Sequence, residues 1–324
     1  MNEALRLLRK VVRRWGYDLK RSEQFVLRPV KGLDQIDSGQ ALKRVREVFD
    51  NTDERKETDL DRVIVYLRTC LRPNRNRDTR RRLTGVSNEE NALRCLRSTI
   101  TAINRFVDRM GQDQISIVVL DDHSDPNMKE HLQSVVASAR CKSDFRTTHI
   151  QGQGPSLHEQ FSESRGRNAL VYFCEDDYLH EADALIEMWE FYRQVYGATS
   201  EHCVIYPQEH ETLYTSYYPS YILAGAKRRW RTMNDATHTF FTHGHVVDRY
   251  WKYFENTKYM GVRDKRHLAS ERVTTNRLYD HIPGFSPIPP VAVHLQYEEL
   301  LPPFYDWRPL WDANPLDRPL PPTE

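Results

Sequence analysis

Three short runs of uninterrupted apolar residues constrain this fold more than anything else in the chain. They are Arg62–Cys70 (RVIVYLRTC), Gln114–Leu120 (QISIVVL) and Ala169–Cys174 (ALVYFC). A strand that is apolar at consecutive positions buries both of its faces, as in a parallel sheet covered by helices on either side. The intervening segments supply those helices. Glu89–Arg109 places Leu93, Leu96, Ile100, Ile103, Phe106 and Val107 on one face. Met128–Ala139, Ser156–Ser164 and Asp183–Tyr196 are further helices, and Phe145–Ile150 is a further strand. Strand alternating with helix predicts an α/β fold with a mostly parallel, Rossmann-like central sheet.

The flanks have a different texture. Residues 1–21 hold seven Lys/Arg and two acids, with Leu5, Leu7, Leu8, Val11, Val12 and Trp15 at helical spacing. This predicts a short basic amphipathic helix, docked either on an anionic membrane surface or on the protein's own body. Residues 40–50 read as a second short helix and the following ten as a linker. Beyond residue 200, Val204–Tyr206 and Thr237–Thr242 are strand candidates, and Val246–Phe254 and Ser270–Tyr279 are helix candidates. Eleven of the seventeen prolines follow Ile282, and Val291–Leu295 alone reads as a strand there. The last thirty residues are expected to wrap the body in extended form or stay loose. The division is an N-terminal helical extension over 1–60, a central α/β domain over 61–297 (halves 61–200 and 201–297), and a Pro-rich acidic tail over 298–324.

Charge narrows the function classes. With 47 Lys+Arg against 46 Asp+Glu, the net charge of +1 excludes a body built to bind nucleic acid. No stretch reaches the roughly 18 apolar residues of a membrane span. Met1–Tyr17 lacks the continuous apolar core of a signal peptide. Five cysteines without a C-x-x-C indicate reduced thiols and a cytoplasmic setting. The basic helix over 1–21 adds the expectation of a peripheral place on the inner face of the plasma membrane.

In open α/β sheets, ligands bind beyond the carboxyl ends of the strands. Here those ends are polar: a loop with Arg72, Arg75, Arg77, Arg80, Arg81 and Arg82, then Asp121-Asp122, then Glu175-Asp176-Asp177. Clustered carboxylates repel one another unless a cation or hydrogen bonds offset them. A hard divalent ion is the usual offset, and phosphates commonly complete its shell. Arg supplies bidentate phosphate contacts, and Arg165 and Arg167 are further phosphate candidates. The alternative for either acidic group is a turn or a helix N-terminus.

The order VIVYLRTC, helix, ISIVVLDDHSD, VYFCEDDYL, helix resembles the GT-A glycosyltransferase fold, and most closely its family 2-like enzymes, over roughly Arg62–Leu295. The family's "VVDDGSTD"-like stretch reads VVLDDHSD here, and its D-x-D or E-D-D motif is Glu175-Asp176-Asp177, with Cys174 where many members begin their D-x-D. The resemblance implies a transferase that uses a nucleotide-diphosphate sugar (UDP- first, GDP- or dTDP- next) and Mn²⁺ or Mg²⁺. The acceptor would be a glycan or a lipid-linked group. Asp122, with Asp121 beside it, would meet the base. Arg68 and Arg72 would lie along the nucleotide, as would Glu175 and Asp176. Asp177 would hold the metal, and His294 in VAVHL would complete its shell.

An inverting transferase also needs a carboxylate to take the acceptor's proton. In family 2 this is an Asp in an "ED-x-x-x-x-x-R"-like helix start. The matching segment is Ala269–Arg277, with Glu271 at the base's position and Arg272 intervening. Asp264 and Asp248 compete with it, and a plain N-terminal helix acid is the alternative. His243 and His245 (THGH) are expected on one strand face near the acceptor, with no third ligand in view for zinc. Aromatics at Tyr206–Tyr221, Trp230, Tyr250, Trp251 and Tyr253 would serve either as sugar platforms or as core. A sugar nucleotidyltransferase is disfavoured because the Arg loop has no Gly before Gly85. A non-catalytic scaffold on a degenerate GT-A core remains the other alternative.

Overall fold

The computed structural model describes residues 11–12, 58–72, 85–215 and 218–316. The readings made for the basic N-terminal helix as a whole, the second short helix, Arg75–Arg82 and the last eight residues lie outside them.

The chain enters through β1 (Val63–Thr69), whose apolar residues are buried on both faces, as their continuous run requires. Helix α1 (Asn88–Met110) follows. Ser87 caps it by accepting from the Glu90 amide at 3.1 Å, and Glu89 and Glu90 complement the dipole in the first turn. Gly111, at φ 97°, ends it in a conformation that disfavours other residues. Then come β2 (Ile115–Asp121), α2 (Pro126–Val136), β3 (Lys142–Thr147), α3 (Gln153–Glu163) and β4 (Leu170–Glu175). The expected alternation is present, with β3 starting and ending about three residues early. These four strands lie parallel in the order β3-β2-β1-β4. The crossovers through α1 and α2 step one way and that through α3 steps the other. Right-handed connections therefore put α3 on the opposite face of the sheet. α3 packs against β1 and β2.

The second half extends this sheet. It holds β5 (Tyr178–His180), α4 (Ala184–Thr199), β6 (Val204–Ile205), α5 (Thr212–Thr215), β7 (Ile222–Ala224), β8 (Arg229–Met233) and β9 (Phe240–His243). After these come α6 (Gly244–Arg249), α7 (Trp251–Phe254), α8 (Arg266–Ala269), β10 (Gly284–Ile288), β11 (Ala292–His294) and α9 (Arg308–Asp312). Among the described residues the main sheet has nine strands in the order β3-β2-β1-β4-β9-β6-β10-β8-β7, and β5 and β11 form a separate antiparallel pair. β9 runs antiparallel to both β4 and β6, which turns the parallel sheet into a mixed one.

Several expectations are corrected. Val246–Phe254 is not one helix; it breaks at Tyr250. Ser270–Tyr279 forms two 3-10 stretches, Glu271–Val273 and Thr275–Asp280, because Thr274 leaves helical geometry at φ −112°, ψ −105°. Val291–Leu295 does not stand alone among the prolines, since β10 precedes it. Pro287 is tolerated in β10 because β6 pairs only with Gly284 and Phe285, so no ladder on that side needs the missing N–H. The acidic tail is neither wholly extended nor loose. Leu301, Tyr305, Trp307, Leu310 and Trp311 pack on a second small core of Cys95, Leu179, Val293 and Leu295. The Arg94 guanidinium lies 4.4 Å from the Trp311 ring centre and donates to the Trp311 carbonyl at 3.2 Å.

Candidate active site

The chain steps one way from β1 and the other way into β4, so a crevice opens where their carboxyl ends diverge. A cleft of about 300 Å³ lies there, with Arg68, Arg72, Asp122, Asp176 and Asp177 among its lining.

The end of β4 is built residue by residue. Arg68 and Glu175 are register partners on adjacent parallel strands, and their side chains form an ion pair. The Glu175 amide donates to Thr239 Oγ1 at 3.2 Å. Asp176 turns back towards β1, where its Oδ2 accepts from Thr69 Oγ1 at 2.7 Å and from the Cys70 amide at 3.0 Å. Burial, with the Asp177 carboxylate beside it, pushes the Asp176 carboxyl up to about 6. Asp177 turns the other way, and its Oδ2 stands 3.0 Å from His294 Nε2. β11 delivers His294 by pairing with β5, with His294 opposite Tyr178. The imidazole stacks on the Tyr178 ring at 4.6 Å and 10°. The His294 amide donates to Gln208 Oε1 at 2.5 Å. A carboxylate from the turn between β4 and β5 and an imidazole from β11 thus meet beside the cleft, one supplying a hard oxygen and the other a borderline nitrogen, a donor set that could hold Mn²⁺ or Mg²⁺.

Residues 86–276, more than half of the chain, match the family model described as glycosyl transferase family 2. The chain belongs to that family. Its α/β sheet, parallel over β1 to β4 with helices on both faces, is the architecture that the sequence resemblance implied for that family. Its solved structural neighbours include Staphylococcus aureus TarS, at TM-score 0.39 and 10% identity, covering 61% of this chain and 33% of that one. Another is the mannosyltransferase PcManGT from Pyrobaculum calidifontis in complex with GDP-Man and Mn²⁺, at TM-score 0.35 and 11% identity, covering 65% and 54%. A third is a UDP-glucose pyrophosphorylase complexed with UDP-glucose, at TM-score 0.40 and 10% identity, covering 78% and 98%. The chain therefore spans only a third of the length of TarS and about half that of PcManGT. No match was found among curated proteins.

The other candidate residues divide sharply by position. Asp122 is buried at the end of β2, where its Oδ1 accepts from the Gly152 amide at 2.8 Å and lies 3.5 Å from Arg72 Nη2. Arg72 also donates through Nε to the His123 carbonyl at 2.5 Å, which fixes the β2 turn beside the cleft. Asp121 behaves differently. It is fully buried and accepts from the Ser124 amide at 3.1 and 3.2 Å, so its carboxylate holds the turn rather than facing a nucleotide. Glu271 opens a 3-10 turn with its side chain 44% exposed, 3.7 Å from His238 Nδ1.

Sequence reasoning missed His238. It is buried just before β9, with its pKa lowered mainly by burial, while the Glu271 and Glu175 carboxylates pull the other way. It therefore links Glu271 electrostatically to the Arg68–Glu175 pair.

Other expectations fail on position. Arg165 and Arg167 precede β4 and so sit at its amino end, opposite the cleft. Arg165 lies over the Trp251 ring at 4.5 Å and is 3.6 Å from Asp248, whose carboxylate also accepts from the Gly166 amide. Asp248 is thereby removed as a competing base. His243 pairs with Leu170, the first residue of β4, so it and His245 do not line an acceptor site near the cleft. They do not share one strand face either, since His243 ends β9 and His245 begins α6. Tyr206, Trp230 and Tyr250 are core, whereas Tyr214 and Tyr221 are exposed and available to a ligand. Asp264 lies in an exposed 3-10 turn.

Proposed function

We propose that this glycosyltransferase moves a sugar from a nucleotide-diphosphate donor to a glycan or lipid-linked acceptor, with a divalent metal and with inversion of configuration. Surface polysaccharide assembly is the setting proposed for it. The observation that carries the reading is the 3.0 Å approach of Asp177 to His294, residues distant in sequence that the pairing of β5 with β11 brings together beside the cleft.

Asp177 and His294 would hold Mn²⁺ or Mg²⁺. When bound, the ion neutralises the charge that develops on the leaving diphosphate. The chain's own residues do the rest. Asp122 would accept an N–H from the base. UDP is the favoured nucleotide, with GDP or dTDP next. Arg68 and Arg72 lie beside the cleft as diphosphate partners, with Arg68 also keeping Glu175 in place. Asp176, tied to Thr69 and Cys70, would set the orientation of the strand end under the ribose. Glu271 would take the proton of the acceptor hydroxyl in a single in-line displacement.

The test is a thermal-shift panel of UDP, GDP, dTDP, CDP and CMP, each with and without Mn²⁺. The expected outcome is a Mn²⁺-dependent rise in melting temperature that is largest for UDP. A panel in which Mn²⁺ changes none of the shifts would remove the metal from the reading.

We further propose that the enzyme is cytoplasmic and rests on the inner face of the plasma membrane through its basic N-terminal segment. The support is the +5 charge of residues 1–21 together with their apolar spacing. Deleting Met1–Arg21 is expected to move the protein from the membrane to the soluble fraction while its nucleotide shifts stay intact. Unchanged fractionation would exclude the anchor.

A further inference from the structure

Three histidines gather at the end of the sheet away from the cleft. His243 closes β9, His245 opens α6, and His202 comes in just before β6. One potential ligand atom from each lies within 4.8 Å of the other two. The His202 and His243 rings stack at 4.9 Å, and those of His243 and His245 lie 4.4 Å apart.

We infer that His202, His243 and His245 form a second metal site, for a borderline divalent ion such as Zn²⁺, with water completing the shell. The second ring nitrogen of two of the ligands is already tied, as metal-binding histidines require. His243 Nε2 lies 3.2 Å from the Asp59 carbonyl, which can only accept, so this nitrogen carries the proton and Nδ1 keeps the lone pair. His202 Nδ1 meets the Tyr192 hydroxyl at 2.8 Å, which leaves Nε2 as its ligand atom. The triad has no carboxylate, which selects imidazole-preferring ions over Mg²⁺ or Ca²⁺.

Two features oppose binding and set its geometry. The His245 amide donates to His243 Nδ1 at 3.1 Å, so the ion must displace that bond. The positive charge of Arg249 acts on His202. Ligand nitrogens on tetrahedral Zn²⁺ stand about 3.4 Å apart, so the cluster must contract by roughly an ångström. His202 and His245 are half-buried and can rotate to do so. The ion would then join the segment entering β1, the end of α4 and the β9–α6 junction, none of which touches the donor cleft. The inference does not rest on the proposed donor chemistry.

The test uses the full chain with any affinity tag removed, stripped with chelator, in an Asp177→Asn background that disables the cleft metal. Titration with Co²⁺ is expected to give one equivalent of the intense visible bands of tetrahedral coordination, and Zn²⁺ is expected to abolish them. His202→Asn and His245→Asn are each expected to weaken Zn²⁺ on the order of 100-fold or more. The UDP-dependent shift in the otherwise wild-type chain should persist in both. Absence of the bands in the parent chain overturns the site whether or not the variants fold. Bands and Zn²⁺ affinity that survive both substitutions overturn it as well.

Discussion

Asp177→Ala is expected to lower sugar transfer by at least about 10²–10³-fold and to erase the Mn²⁺-dependent part of nucleotide binding. The side chain lost is the carboxylate that stands 3.0 Å from His294. Without it the imidazole remains, but a lone neutral nitrogen neither balances a dication nor fixes its position. A ligand at a hundred times its Kd stabilises the fold by about 2.7 kcal/mol, so the missing increment is readable as a melting shift with UDP, with and without Mn²⁺. Asp177→Asn keeps the shape and removes the charge, and should behave alike. Full transfer together with retained Mn²⁺-linked UDP binding in either variant would refute the assignment.

Glu271→Gln separates chemistry from binding. As the proton acceptor, Glu271 should carry on the order of 10²–10⁴-fold in kcat, with the donor KM and the UDP melting shift nearly unchanged. Its surroundings suit the part. It is exposed enough to meet an acceptor and sits beside His238, on the side of the Arg68–Glu175 pair. Transfer assays with saturating donor would show the split. A variant with wild-type kcat would leave Glu271 as an ordinary first-turn acid.

What the sequence revealed depended on whether the deciding force was local. β1, β2 and β4 were legible because burial on both faces writes itself as consecutive apolar residues. β7 and β8 were not, because β7 is only three residues long and the arginines of β8 and of the turn mask a short hairpin closed at Gly225, whose amide donates to the Arg228 carbonyl at 2.9 Å. β10 was hidden by Pro287, which is permitted only because β6 is too short to reach it. The acidic strand ends could be read as a site because ligands sit at carboxyl ends. The same rule, applied strictly, would have excluded Arg165, Arg167 and Asp248, which lie before β4 or opposite its start. The third histidine of the distal cluster and the burial of His238 come from tertiary packing, which no local pattern encodes. Asp121 and Asp122 are adjacent and chemically identical, yet one holds a turn and the other faces the cleft; only backbone direction distinguishes them.

The pairing of β5 with β11 has a consequence for how the enzyme comes into being. Asp177 is at the ribosome's exit more than a hundred residues before His294, and the residues that pack behind β11, from Leu301 to Trp311, emerge later still. The parallel core of β1 to β4 can assemble while synthesis continues, since its contacts lie within the first half of the domain. The carboxylate–imidazole pair cannot. A nascent chain therefore exposes the crevice between β1 and β4 before the Asp177–His294 pair can form.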